Sequence, residues 1–375
     1  MGRARYSHLL EDPEVRRWYE NVARGSRLWA DVCLRRLGSF CAELGMAPRD
    51  LAGLPDRRLH QVLLDFVSAK EREGYAGSYI ACIMKSVRSW LSFNMRRPEI
   101  KIKIRGAQDT PTLRNERIPT REELRRIFLS ADKKTRVACA LVAHAGLRIQ
   151  TIGNYEGKDG LRLKDLPELT VKGRRVSFRK IPTLIVVRRE LSKAGHQYLT
   201  FLSREGCEYL RDYLEERLAS GERLGPESAV VTPKVRIKPF IRANNIGDDI
   251  RKAIRTAGFP WRPYVLRSYF DTQLMQAESR GLVLRDYRQF WMGHRGDIEA
   301  RYTTNKGMLP QEVIEDMREA YKRSQRFLQT VETEEEVRLE PEFRRQLLLA
   351  SGFKSAEVER MDLERMGEEE FQELI

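Results

Sequence analysis

The chain has 375 residues, 69 Lys plus Arg against 54 Asp plus Glu, a net charge of +15 and 41% apolar side chains. That is enough for two domains with ordinary cores, and no apolar run approaches the ~20 residues that cross a bilayer. Five scattered cysteines (Cys33, Cys41, Cys82, Cys139 and Cys207), with no C-x-x-C pair, argue against a disulfide framework and against structural zinc. No hydrophobic stretch follows Met1-Gly2-Arg3-Ala4-Arg5, so a cytoplasmic location is expected.

Charge is unevenly spread. Residues 331–375 carry 14 acidic and 6 basic side chains, a net of −8, which leaves +23 on residues 1–330. A body this basic suits a polyanion, and nucleic acid is the commonest one.

Helices are predicted over 14–24, 27–44, 56–73 and 78–94, where apolar residues recur at three- and four-residue spacing, as in Leu34, Leu37, Cys41 and Leu44. Asp56 and Ser78 stand where N-caps are expected. Basic residues such as Arg16, Arg17, Arg35, Lys85 and Arg88 lie between the apolar ones, giving a basic helical domain over residues 1–100. Residues 101–118, rich in Pro, Gly, Lys and Arg, are predicted to be a linker.

A second domain is expected over 119–328. It opens with a capping box, Thr120-Arg121-Glu122-Glu123, in which hydroxyl and carboxylate satisfy each other's backbone amides. A helix over 134–145 ends at Gly146, and strands are predicted at 175–178, 183–188 and 197–202. Helices resume at 207–218, 246–257, 264–276, 284–291 and 310–323. The fold class is therefore mainly α with one small β-sheet, an α+β architecture. The tail, 329–375, alternates acidic runs with apolar groups and is predicted to form short helices that dock on a partner or on the body.

Four stretches bear chemistry: His144-Ala145-Gly146-Leu147-Arg148, Ser192-Lys193-Ala194-Gly195, Tyr264-Val265-Leu266-Arg267, and Gly293-His294 followed by Tyr302. In this order the set resembles the tyrosine recombinase (phage-type integrase) family, especially its archaeal and Xer-like members. Gly146-Leu147-Arg148 is similar to the family's first arginine box and Lys193 to its hairpin lysine. Tyr264-x-x-Arg267 is similar to its H-x-x-R box, Met292-Gly293-His294 to its L-G-H, and Tyr302 to its nucleophile. The resemblance spans about residues 10–325 and makes the N-terminal helices a DNA core-binding domain. It implies site-specific recombination on double-stranded DNA by a homotetramer at the synapse, with no metal, no cofactor, no ATP and no membrane.

The residue types fit that chemistry. Two permanently charged guanidinium groups, Arg148 and Arg267, would neutralise the nonbridging oxygens of a phosphodiester as phosphorus becomes five-coordinate. Lys193 would protonate the leaving 5′-oxygen, and Tyr302, a phenol with a pKa about 10 when unperturbed, would attack once cations stabilise its phenolate. Two departures stand out. Tyr264 replaces histidine and is a poor proton shuttle near neutrality, and the segment from Arg267 to His294 is longer than in typical bacterial members. Rival lysines are Lys172 and Lys180; rival tyrosines are Tyr269, Tyr287 and, as second choice, Tyr321. His144 and His196 are expected only to tune local structure. Two other functions share this residue set: a type IB topoisomerase-like relaxing enzyme, and an idle architectural or regulatory DNA-binding protein.

Overall fold

The computed structural model describes residues 4–96, 102–109, 116–235, 237–294, 309–331, 344–363, 371 and 374. The chain divides into two compact units, Met1–Arg114 and Asn115–Ile375.

The first unit contains helices α1 (Pro13–Gly25), α2 (Arg27–Leu44), α3 (Pro48–Gly53), α4 (Asp56–Arg72) and α5 (Gly77–Phe93). Asp12 starts α1 by accepting hydrogen bonds from the Glu14 and Val15 amides at 2.8 and 3.4 Å. Gly45, at φ +64°, ends α2 in the left-handed conformation that glycine adopts without penalty. The apolar stripes meet around Trp18 and Trp90, which pack edge to face at 5.6 Å, and around Phe40 and Phe66 at 4.6 Å. Arg16, Arg17, Arg35, Lys85 and Arg88 stay exposed.

Three expectations for this unit change. The residues preceding α4 and α5 are Pro55 and Ala76, so Asp56 is already helical and acts on the helix dipole, and Ser78 lies inside its helix. The short α3 carries too few residues for a visible period. Part of the predicted linker is folded: Ile102 is buried in this unit's core, Ile104 packs beside it, and the Arg105 amide donates to Glu71 Oε1 at 2.7 Å.

The second unit begins with α6 (Arg121–Leu129), α7 (Lys133–Ala143) and α8 (Ile149–Ile152). The capping box forms as expected, with Thr120 N donating to Glu123 Oε2 at 2.9 Å and Glu123 N to Thr120 Oγ1 at 3.3 Å. Strands β1 (Leu169–Lys172) and β2 (Arg175–Phe178) form one antiparallel pair, and β3 (Thr183–Val187) and β4 (Tyr198–Leu202) another. There are thus two two-stranded sheets among the described residues, where one was expected. With only Leu169 and Val171 apolar, β1 gave too short a signal. Helices α9 (Arg204–Ala219), α10 (Ala243–Thr256), α11 (Tyr264–Ser279), α12 (Arg285–Trp291) and α13 (Gln311–Leu328) complete the unit.

Helix α7 is the hub. It contacts α9, α10 and α11, and Val137–Ala143 are buried throughout, which explains an apolar run without an amphipathic stripe. All five residues of β4 are buried, with Tyr198 opposite Val187. In the tail, 344–350 is helical and Leu348, Val358, Leu363 and Phe371 gather into a small apolar cluster. No helix among the described residues is long and apolar enough to cross a membrane.

Candidate active site

After α7 the chain turns through Gly146, at φ +64°. A Cβ there would lie 2.5 Å from the Phe270 ring and 3.2 Å from Met292 Sδ, so glycine alone satisfies both the backbone and the packing. The turn delivers Arg148 in an extended conformation at the start of α8. Its guanidinium crosses to the end of α12, where Nη1 donates to the carbonyls of Met292 at 3.1 Å and Gly293 at 3.4 Å.

Arg267 arrives from the first turn of α11. It is only 4% exposed, and its Nη2 donates to the same Met292 carbonyl at 2.5 Å. Two cations from distant parts of the chain therefore converge on one oxygen. The Arg267 Nε–H is buried with no hydrogen-bond partner among the described residues. Burial, and then the neighbouring Arg148 charge, bring its pKa down to about 10, against weaker opposition from Tyr198, Tyr264 and Asp271.

His294 follows Gly293. Its ring is half-buried, and Nδ1 lies 2.7 Å from Gln289 Oε1. With that oxygen accepting, Nδ1 carries the proton and Nε2 is the basic nitrogen. Burial first, then Arg267 and Arg148, lower its pKa, so the imidazole is neutral at pH 7. Tyr264, one turn before Arg267, is 67% exposed at the start of α11.

Lys193 is exposed on the loop between β3 and β4 and makes no hydrogen bond or ion pair among the described residues. The structure does not place its ammonium against the arginines. The base of its loop is tied to α8, however: Thr151 Oγ1 donates to the Leu191 carbonyl at 3.4 Å. Of the rival lysines, Lys172 is exposed at the end of β1, its backbone in register with Arg175 across the Gly173 turn, and Lys180 forms an ion pair with Glu315 at 2.7 Å.

Tyr302 lies outside the described residues. Its rivals are accounted for by packing. Tyr269 is fully buried and its hydroxyl donates to the Phe327 and Leu328 carbonyls at 3.1 and 3.2 Å. Tyr321 is fully buried and donates to the His144 carbonyl, and burial pushes its phenol far up. Tyr287 packs against Trp291. His144 is buried, with Nδ1 2.9 Å from Ser203 Oγ, as expected of a structural histidine.

One residue at this site had no sequence signal. Tyr198 on β4 is 2% exposed, and its ring lies against Gly293, where a Cβ would come within 2.6 Å of it. Every residue of β4 is buried, so nothing in the pattern separates Tyr198 from core.

No family model matches the chain, and no curated protein matches it. Solved structures it is similar to include a recombinase and phage integrases. The XerA recombinase is 18% identical, with a TM-score of 0.35, over 82% of this chain and 97% of that one. The integrase of mycobacterium phage Brujita is 18% identical, with a TM-score of 0.35, over 86% and 94%. A lambda integrase (75–356) dimer bound to a COC′ core site is 17% identical, with a TM-score of 0.46, over 80% and 97%.

Proposed function

We propose that the chain is a tyrosine recombinase that cleaves and rejoins duplex DNA through a 3′-phosphotyrosyl ester on Tyr302. The observation that carries this is the pair of guanidinium groups, Arg148 and Arg267, meeting on the Met292 carbonyl with a neutral His294 beside them. A single phosphodiester, with two nonbridging oxygens, is an anion of the right size and charge to replace that carbonyl.

In the proposed step the Tyr302 oxygen forms a bond to the scissile phosphorus while the bond to the 5′-oxygen of the next nucleotide breaks. Arg148 and Arg267 hold the charge of the five-coordinate phosphorus. The neutral imidazole of His294 is the base available for the phenol proton, and Lys193, carried on its exposed loop, gives a proton to the leaving oxygen. One phosphodiester is exchanged for another, so a 5′-hydroxyl from a second strand can reverse the step at little cost. Tyr264 keeps a hydrogen-bonding role only. The basic charge of residues 1–330 supplies the affinity for duplex DNA, and a homotetramer would pair two sites.

The test is covalent trapping. The protein is incubated with a library of nicked duplexes bearing a randomised segment, and adducts stable to detergent are separated on a denaturing gel. An adduct that disappears in Tyr302→Phe supports the proposal. No adduct from the library, or one unchanged in Tyr302→Phe, overturns it.

A further inference from the structure

The ring of Tyr198 packs against Gly293, whose carbonyl accepts from Arg148 and whose neighbour Met292 accepts from both arginines. Gly293 sits at φ +60°, and a Cβ there would lie 2.6 to 3.0 Å from three ring carbons. The phenol is thus the backing of the peptide that holds the guanidinium pair. Its hydroxyl is buried. It approaches Thr151 and Arg148 closely enough to feel both, yet completes a well-formed hydrogen bond with neither. Among the described residues neither this buried phenol nor the buried Arg267 Nε–H has a hydrogen-bond partner, which is costly. Burial raises the pKa of Tyr198 and the two arginines only partly offset this, so the hydroxyl keeps its proton at neutral pH.

From this arrangement we infer that Tyr198 is a positioning residue of the strand-transfer site, its hydroxyl taking over guanidinium hydrogen bonds when a phosphate draws Arg148 and Arg267 away from the Met292 carbonyl. The inference rests on the function proposed above. A phenol is well suited to this role, because its oxygen accepts from a guanidinium while its proton is donated onward, and its rigid ring fixes where that oxygen stands. The exposed Tyr264 cannot back the arginines in this way, since it lies on the outer start of α11.

Tyr198→Phe removes the oxygen and keeps the ring against Gly293. Folding is checked by the thermal midpoint, expected to hold or rise as an unpartnered buried hydroxyl is removed, and duplex binding by titration, expected to stay near wild type. The single-turnover rate of adduct formation on a trapped nicked duplex is expected to fall about tenfold to a hundredfold. A second duplex, carrying a neutral methylphosphonate at the scissile position, separates positioning from packing. With less charge to neutralise, the deficit of the variant should shrink to within about threefold. As a measurement that needs no variant of altered shape, 3-fluorotyrosine placed at 198 should show a ¹⁹F resonance that moves when the phosphodiester duplex binds. A wild-type rate in Tyr198→Phe, an equal deficit on both duplexes, or a resonance indifferent to duplex overturns the inference while leaving the recombinase proposal standing. Absence of any adduct in the wild-type protein overturns both.

Discussion

Arg267 and Arg318 are equally buried, each 4% exposed, and they are completed in opposite ways. Arg318, on α13, is saturated. It meets Glu168 with two nitrogens at 2.5 and 2.9 Å, donates to the Pro182 carbonyl, and reaches Glu315 through Nε at 3.1 Å. Arg217 and Arg288, the other buried arginines among the described residues, likewise face carboxylates, Glu222 for the first and Asp271 with Glu278 for the second. Arg267 alone of the four makes no ion pair among the described residues. It has one carbonyl, a like charge beside it, and an unpartnered Nε–H. A buried cation with its carboxylate joins elements of the fold. A buried cation without one is what the proposed function needs, a charge free to meet an anion from outside.

The sharpest way to break this distinction is to neutralise each arginine in turn. Arg318→Met leaves Glu168 buried and unpaired, although that carboxylate still accepts from the Leu184 amide at 2.9 Å. The loss of unfolding free energy should be about 3–5 kcal/mol, measured by denaturant titration. Adding Glu168→Gln to Arg318→Met should return part of it. If Arg318→Met is as stable as wild type, the two arginines are not different in kind.

Arg267→Met should do the reverse. The side chain is about the same length and apolar, and its introduction removes a desolvated charge and its repulsion with Arg148. Stability should hold or rise by up to about 2 kcal/mol, whereas adduct formation should fall by about 10²–10³-fold. Destabilisation as large as that of Arg318→Met would show Arg267 to be structural.

The same distinction decides what was visible in the sequence. Gly146-Leu147-Arg148 and Gly293-His294 could be found through their order along the chain and their resemblance to the family's boxes; each glycine stands at positive φ. The helices of both units were legible from periodicity, and the capping box from its own four residues. What could not be seen was long-range. The Arg148 and Arg267 guanidinium groups meet on a carbonyl oxygen, and a backbone carbonyl has no letter. Tyr198 is hidden for another reason: in a strand buried on both faces, any phenol reads as core. Residues 102–109 looked like linker because two isoleucines, Ile102 and Ile104, are too few to mark a docking segment.

The smallest expected effect concerns protons at the same two kinds of place. His144 and His294 both have pKa values below the ordinary 6.5, for different reasons. His144 is held down by burial in the core, which DNA does not change. His294 is held down by burial and also by Arg267 and Arg148, whose field a bound phosphate would cancel. In both cases the unfolded chain binds protons that the folded one refuses, so stability falls as pH drops through 6.5 towards the folded values. Binding of duplex DNA, by contrast, should raise the pKa of His294 and take up a proton there. At constant salt, affinity should therefore strengthen modestly between about pH 7.5 and pH 5.5, within the tenfold that one pKa unit allows. His294→Gln should remove that strengthening, while the acid loss of stability due to His144 persists. If the variant binds DNA with the same pH slope as wild type, His294 does not feel the phosphate that the two arginines are proposed to hold.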